Sequence, residues 1–361
     1  MSSSVRRRKL RTRMASAGVE AMLITHLPDV RYLCGFTGSN AALLVVGTRA
    51  TLFTDGRYIA QAAAEVDGAK VVIAQKPVLA AAVDAVVAEG VATCGFDSTQ
   101  TSVAALESLK AALPAKLRKS LLVPVAPLVA GLREIKDEIE IDKMRDAAGL
   151  GCWLFDNVFE HMVPGATEIE AALALEFTAR MAGAERMSFD TIVASGERSA
   201  LPHGRATGAK LPRRGFCTLD FGVVLDGYCS DMTRTVHMGK ARPGEREVYE
   251  AVLDAQMAGV AAVKAGVQAG DVDEAARAVL RERKLDQYFT HSTGHGVGLE
   301  IHEGPRVAAK QTQTLKAGMV ITIEPGVYMP GQFGVRIEDT VLVTAEGCEI
   351  LTPSTKAWIE L

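Results

Sequence analysis

The sequence predicts an α+β chain of two domains, a small α/β domain over residues 1–125 and a larger mixed domain over residues 126–361. Three features predict it. Short apolar strand-like runs alternate with helical ones through residues 1–125. Beyond them, a helix-then-strand order occurs twice, and four strand-like segments carry acids on one face and aliphatic side chains on the other. With 361 residues, 48% hydrophobic and 23% charged, the chain can bury two sizeable cores. Its net charge of −3 argues against a nucleic acid or a membrane surface as main partner.

In the first domain, residues 4–17 read as a helix, and 21–25, 41–46, 50–54, 70–74 and 93–96 as strands. Helices near 57–66, 77–89 and 101–113 lie between them, and 121–127 closes the domain. The basic run Arg6–Arg13 has no apolar segment behind it, so it predicts an exposed helix face rather than a secretory signal. No uninterrupted apolar run reaches the length that spans a bilayer. The six cysteines are scattered without Cys-x-x-Cys spacing, which predicts free thiols in a reducing, cytoplasmic compartment.

The second domain opens on a charged helix, Arg133–Lys143. Residues 165–172 echo residues 270–276, and each copy offers a capping box, Thr167 to Glu170 and Asp271 to Glu274. Two related halves around a central site would explain that order. Pro243 and Gly244 fit the start of a long helix continuing to about Lys264.

Residues 216–224 and 228–238 read as strands joined through Asp226-Gly227, a two-residue hairpin signal. With those two as the turn, Asp220 stands opposite Thr233 and diagonal to Asp231, so both acids share a face. Like charges so placed repel, an arrangement tolerated when a cation sits between them. Residues 319–324 and 335–341 repeat the pattern, with Thr322, Glu324, Arg336, Glu338 and Thr340 on one face. A half-exposed sheet would explain any one strand, but it predicts mostly Lys, Arg, Ser and Thr rather than an acid on each.

Asp220, Asp231, His295, Glu324 and Glu338 make an oxygen-rich ligand set, unlike the Cys/His tetrahedra of structural zinc. It suits two divalent ions, Mn(II) or Co(II) first, with Fe(II) and Zn(II) as further candidates. Bridging carboxylates hold two such ions roughly 3.5–4 Å apart, and a shared water then ionises near neutral pH. No protein nucleophile is needed, and the sequence has no Gly-x-Ser-x-Gly elbow to supply one. The segment His291–Pro305 holds His291, His295 and His302, and Gly294, Gly296 and Gly298 predict a backbone conformation that lets His295 approach an ion. His203 lies in a Pro/Gly loop. His203, His291 and His302 are candidates for holding substrate and a tetrahedral intermediate, whereas His26, His161 and His237 read as ordinary core or surface residues.

Six stretches in order, Ser195–Gly204, Leu219–Gly222, Ser230–Thr235, His291–Glu303, Ile323–Tyr328 and Val335–Thr340, resemble the proline-specific metallopeptidases, prolidase and aminopeptidase P. Upstream, Arg31–Asn40 and Thr54–Tyr58 look like that family's N-terminal domain, so the resemblance covers nearly the full chain. It implies a pita-bread catalytic domain behind a smaller creatinase-like α/β domain. By the same resemblance Asp220 holds one ion, Asp231 and Glu338 bridge both, and His295 and Glu324 hold the other, with Glu324 also shuttling a proton. His203 and His302 bind substrate or intermediate and His291 lines the pocket. Arg336 steadies the bridging acids, binds substrate or serves as a plain counter-ion. Gly304 stands where relatives often carry a bulkier residue, which touches pocket shape and leaves the ligands intact.

The resemblance implies a homodimer cleaving small peptides with proline in the second position, whose tertiary amide lacks the N–H that general peptidases grip. Methionine aminopeptidases share the cage but usually lack a domain like residues 1–125. Creatinase works without metal, and pita-bread proteins that only bind partners have lost the ligands retained here. Between the two proline-specific activities, Phe36–Asn40 and Asp55–Tyr58 lean towards aminopeptidase P, with Xaa-Pro dipeptidase as the alternative. A loop Asp29–Asn40 donated by a second subunit would set the permitted peptide length.

Overall fold

The structure, a computed structural model, describes residues 2–361 and divides into two compact units, one running to Arg133 and the other Glu134–Leu361. The first unit is built on a six-stranded mixed sheet in the order Lys70–Ile73, Arg49–Thr54, Ala41–Val46, Ala21–Ile24, Cys94–Asp97, Leu122–Val125. Its central strand Ala21–Ile24 is buried at every position, as expected of a strand covered on both faces.

Three expectations for this unit are corrected. The basic run is not simply an exposed face: in the helix Ser3–Ser16, Arg7 is buried and donates to the Leu33 carbonyl at 2.7 Å, while Arg6 stacks on Tyr32. Residues from Asp29 onward are not all loop, because Leu27–Cys34 is a helix with Pro28 in its first turn and Gly35 closing it at φ 84°. Those are ordinary start and stop signals that the sequence displays. Residues 126–133 belong with this unit rather than the next. Arg13 donates to the Leu128 and Gly131 carbonyls, and Arg133 pairs with Asp29 at 2.7 Å, both side chains buried.

The second unit contains two helix pairs, Glu138–Asn157 with Glu168–Met181 and Pro243–Ala262 with Ala269–Glu282, each followed by strands. The opening helix starts at Glu138 rather than Arg133, because Asp137 caps it in a capping box with Glu140. The Thr167–Glu170 box forms as expected. Its counterpart does not: the helix begins at Ala269, and Asp271 already lies in its first turn. There the Ala269 and Gly270 N–H groups donate to the carbonyls of Gln313 and Gln311, both at 2.9 Å, so no side-chain cap is required.

The strand Gly215–Phe221 pairs antiparallel with Met232–Met238, Asp220 opposite Thr233 as expected, and Asp226 and Gly227 turn the hairpin at φ 48° and 82°. Chain approach is tight at Gly222, where a Cβ would stand 1.8 Å from the Ser230 carbonyl oxygen. Both faces of Met232–Met238 are buried, so the polar face is not turned to water. Val320–Ile323 pairs with Asp339–Val343, and Gly326–Met329 with Phe333–Arg336. The expected continuous strand 335–341 is thereby split at Ile337 and Glu338, because its two ends take different partners. Aliphatic faces of the two halves pack on their helices, Leu219 and Phe221 against Leu175 in one, Ile321 and Ile323 against Val263 in the other.

Candidate metal centre and active site

The strands deliver the acids to one place. Asp220 sits near the end of its strand, Asp231 just before Met232–Met238, Glu324 just after Val320–Ile323, and Glu338 in the break between two strands. Asp220, Asp231 and Glu338 each place an oxygen within 4.8 Å of the others. His295 Nε2 lies 3.5 Å from Asp231 Oδ2 and 3.5 Å from Glu324 Oε1. Its Nδ1 is 3.1 Å from the Gly296 carbonyl, which can only accept, so the proton sits on Nδ1 and the Nε2 lone pair points at the acids.

Gly294, Gly296 and Gly298 serve His295 differently from expectation. They do not adopt left-handed backbone; they permit close approach. A Cβ at Gly294 would lie 1.9 Å from the Thr322 carbonyl oxygen, and one at Gly296 would lie 2.1 Å from that of Gly304. At Gly304 the atoms nearest to where a Cβ would stand belong to the Glu134 side chain rather than to backbone.

Four carboxylates in one buried place are electrostatically costly. Burial first, then Glu338, Asp220 and Glu324, pushes Asp231 well above the usual carboxylate range. Burial, then Glu324 and Asp220, does the same to Glu338. Glu324 is pushed up to about 8, chiefly by burial. Asp220 Oδ1 is buried without a hydrogen-bond partner among the described residues. Crowded acids, an orphaned oxygen and an imidazole lone pair fit hard divalent cations, which would satisfy all three at once.

Arg336 organises the other side of the cluster. Its Nη2 donates to Asp220 Oδ2 at 2.6 Å, its Nε to Thr233 Oγ1 at 3.1 Å, and its Nη1 to the Pro202 carbonyl at 3.0 Å and to the Tyr328 hydroxyl at 2.6 Å. The Thr233 hydroxyl in turn donates to Glu338 Oε2 at 2.8 Å. Tyr328 donates to His291 Nε2 at 2.9 Å, and His291 Nδ1 donates to the Ser292 carbonyl at 2.8 Å. Burial and then Arg336 lower His291 to about 4, so it is neutral with both ring nitrogens engaged.

The four acids, His295, Arg336 and His291 line a cavity of about 830 Å³ together with His203, His302, Phe189, Ile192 and Ile301. His302 packs edge-on against His295, ring centroids 4.3 Å apart. Burial lowers the His302 pKa, with His203 adding to it, and burial and then His302 lower His295 to about 4. All nine residues singled out from the sequence therefore face one cavity. The sequence places Thr233 opposite Asp220 without a role, and here it links Arg336 to Glu338; two contributors escaped the sequence, Tyr328, which links Arg336 to His291, and Arg306, an exposed cation on the cavity wall. Tyr328 stands within a resembling stretch, whereas no spacing marks Arg306. His237, read as ordinary, is buried and stacked on Trp358.

Comparison with known proteins agrees with this geometry. Residues 142–345 match Metallopeptidase family M24 and residues 6–135 match the Creatinase/Prolidase N-terminal domain. An Xaa-Pro dipeptidase of Pyrococcus horikoshii is 36% identical over 96% of this chain and 96% of its own length. The solved structure of an Xaa-Pro dipeptidase from Bacillus anthracis superposes with a TM-score of 0.96 at 38% identity, covering 100% of both chains. That of an X-Pro aminopeptidase from Thermotoga maritima MSB8 gives 0.89 at 34% identity, covering 97% of this chain and 100% of the other. The expected pita-bread catalytic domain behind a creatinase-like domain is borne out. With its acid cluster and its matched length on both domains, the chain belongs to metallopeptidase family M24.

Proposed function

We propose that the protein is an Xaa-Pro dipeptidase that works with two divalent metal ions, Mn(II) or Co(II) first, held by Asp220, Asp231, His295, Glu324 and Glu338. The observation that carries this reading is the convergence of four acids and one imidazole on a cavity where Asp220 Oδ1 is left unpartnered. Within the proposal, the sequence's lean towards aminopeptidase P gives way to its alternative. Segments Phe36–Asn40 and Asp55–Tyr58 clasp one another, Asn40 Nδ2 to Asp55 Oδ2 at 2.6 Å and Ser39 to Tyr58 at 2.6 Å, so they report the build of the first unit rather than peptide length. Full-length relatives named Xaa-Pro dipeptidase support the change, and the Thermotoga relative keeps aminopeptidase as the second reading.

When bound, the ions supply Lewis acidity to the scissile carbonyl and to the attacking water. The chain's own groups do the rest. Glu324, on the cavity wall beside His295, takes a proton from the water and returns it to the leaving proline nitrogen. His203 and His302 face the cavity and donate to the oxygen on which charge develops. Arg336 and His291 act through others. Four of the five guanidinium N–H donors of Arg336 already serve protein groups, so it positions Asp220, Thr233 and Tyr328 rather than gripping substrate. Arg306 offers a cation to the free carboxylate that a dipeptide carries next to its proline ring. A homodimer belongs to the same proposal, and sedimentation of the metal-loaded protein reads it.

The test is the ratio of rates on Xaa-Pro and Xaa-Pro-Xaa peptides with Mn(II)-loaded protein. Dipeptide turnover with little hydrolysis of the tripeptide is expected. Comparable or faster tripeptide cleavage would return the assignment to aminopeptidase P, and no cleavage of either would end it.

A further inference from the structure

His203 is exposed, and among the described residues none hydrogen-bonds its ring, so backbone placement of its loop decides where the imidazole points. That loop runs from Ser195 to Thr207, and both its ends close on one carboxylate. Glu168, fully buried in the first turn of the helix Glu168–Met181, accepts from Ser195 N at 2.8 Å and Ser195 Oγ at 3.0 Å through Oε1. Through Oε2 it accepts from Thr207 N at 3.1 Å and Thr207 Oγ1 at 2.8 Å. Arg198 Nε bonds both oxygens at 3.2 and 3.0 Å, and its Nη2 reaches on to the Arg205 carbonyl at 2.7 Å. On the other side of His203, Arg336 holds the Pro202 carbonyl. His203 therefore stands in the chain between two anchored carbonyls, that of Arg205 tied through Arg198 to Glu168 and that of Pro202 tied to the acid cluster.

The other half of the catalytic unit uses the same device. Asp273, buried near the start of the helix Ala269–Glu282, accepts from Thr293 N at 3.2 Å, Thr293 Oγ1 at 2.7 Å and Arg277 Nε at 2.8 Å. Arg277 in turn donates to the carbonyls of Phe289 and His291. In each half a buried acid near the N-terminus of the second helix, with one arginine as relay, fixes a histidine-bearing loop of the cavity.

We propose that Glu168 is a positioning residue for the reaction: its carboxylate grips both ends of the Ser195–Thr207 loop and so sets His203 against the substrate. This rests on the reading of His203 as a substrate-facing group. Among the described residues every hydrogen bond to the Glu168 carboxylate comes from a donor, so Glu168→Gln keeps the shape but turns an amide N–H₂ towards other donors and loosens the clasp.

The experiment is a double-mutant cycle of E168Q and H203A in the Mn(II)-loaded protein, read as kcat and KM on an Xaa-Pro dipeptide, with metal content and amide hydrogen exchange measured alongside. E168Q is expected to lower kcat/KM by roughly 10–100-fold, the range seen when partners that orient a reacting group are removed. In the H203A background the same change should cost under about 3-fold, because the group it positions is already gone. Metal content should be unchanged, and exchange should quicken at residues 196–207. Losses that multiply across the cycle would overturn the proposal, since they would show Glu168 acting on the fold at large. Unchanged exchange at 196–207 would overturn it irrespective of His203. H203A without effect on kcat/KM would remove the reading of His203 and this proposal with it, a result distinct from a normal exchange pattern. Should E168Q not fold, Thr207→Val removes one donor of the clasp and takes its place in the cycle.

Discussion

Raising the pH of the metal-free protein from about 5 to about 8 should destabilise its catalytic unit. Burial lifts Glu324 from 4.5 to about 8, so the folded chain holds a proton that the unfolded chain has already released. A group raised in this way contributes stability that is fully present below its unfolded pKa and is lost as the pH climbs through the folded one. Between about pH 5 and 8 the stability lost through Glu324 is then roughly 3–4 kcal/mol, at about 1.4 kcal/mol per pH unit. In a unit of this size each kcal/mol moves the melting temperature by about 2–4 °C, so a fall of roughly 7–14 °C is expected across the window. Asp231 and Glu338 are raised by burial and by the neighbouring acids, and they act in the same direction. The assay is thermal unfolding in chelator at a series of pH values, with Mn(II)-loaded protein and Glu324→Gln run in parallel. Bound cations offset the repulsion and the amide removes an ionisable group, so both should flatten the profile. A metal-free melting temperature that is level or rises between about pH 5 and 8 would refute the electrostatic argument.

Further outcomes follow from the hydrogen bonds around the cluster. Asp231→Ala should reduce dipeptide turnover to background, and full turnover in that variant would show that the cluster is not the reacting centre. Arg336→Lys keeps the charge but cannot serve Asp220, Thr233, Pro202 and Tyr328 together, so metal affinity by chelator competition should fall by about 10–100-fold. Tyr328→Phe leaves Arg336 Nη1 and His291 Nε2 each short of a partner and should cost about 1–3 kcal/mol in thermal unfolding. Arg306→Ala should raise KM for Xaa-Pro dipeptides while leaving metal content unchanged; an unaltered KM would remove it from recognition of the terminal carboxylate.

Much of the candidate site was legible because it depends on short-range rules. Asp226-Gly227 fixes the hairpin register, the register puts Asp220 opposite Thr233, and a period of two then places Asp231 on the same face. The same period gathers Glu324 and Glu338, even though the chain breaks at Ile337 and Glu338. What stayed hidden depends on tertiary neighbours. The path from Arg336 through Tyr328 to His291 joins residues 8 and 37 positions apart on different strands and loops, which no periodicity relates. The glycines around His295 answer to the carbonyls of Thr322 and Gly304, brought close by strand pairing rather than by local backbone preference. Asp271 looked like a cap because its neighbours are typical of one, yet carbonyls from residues 311 and 313 already occupy the free N–H groups. The short helix Leu27–Cys34 carries proline and glycine signals, but its 8 residues are too few for a helical period to stand out beside the alternation of strands.

The most direct test is the metal content of the intact chain, loaded with Mn(II), freed of excess ion and measured by elemental analysis. Two ions per chain are expected, falling to one or fewer in Asp231→Ala with the fold retained by circular dichroism. A chain that retains no ion, or that keeps two after Asp231 is removed, would contradict a dinuclear centre built on these acids.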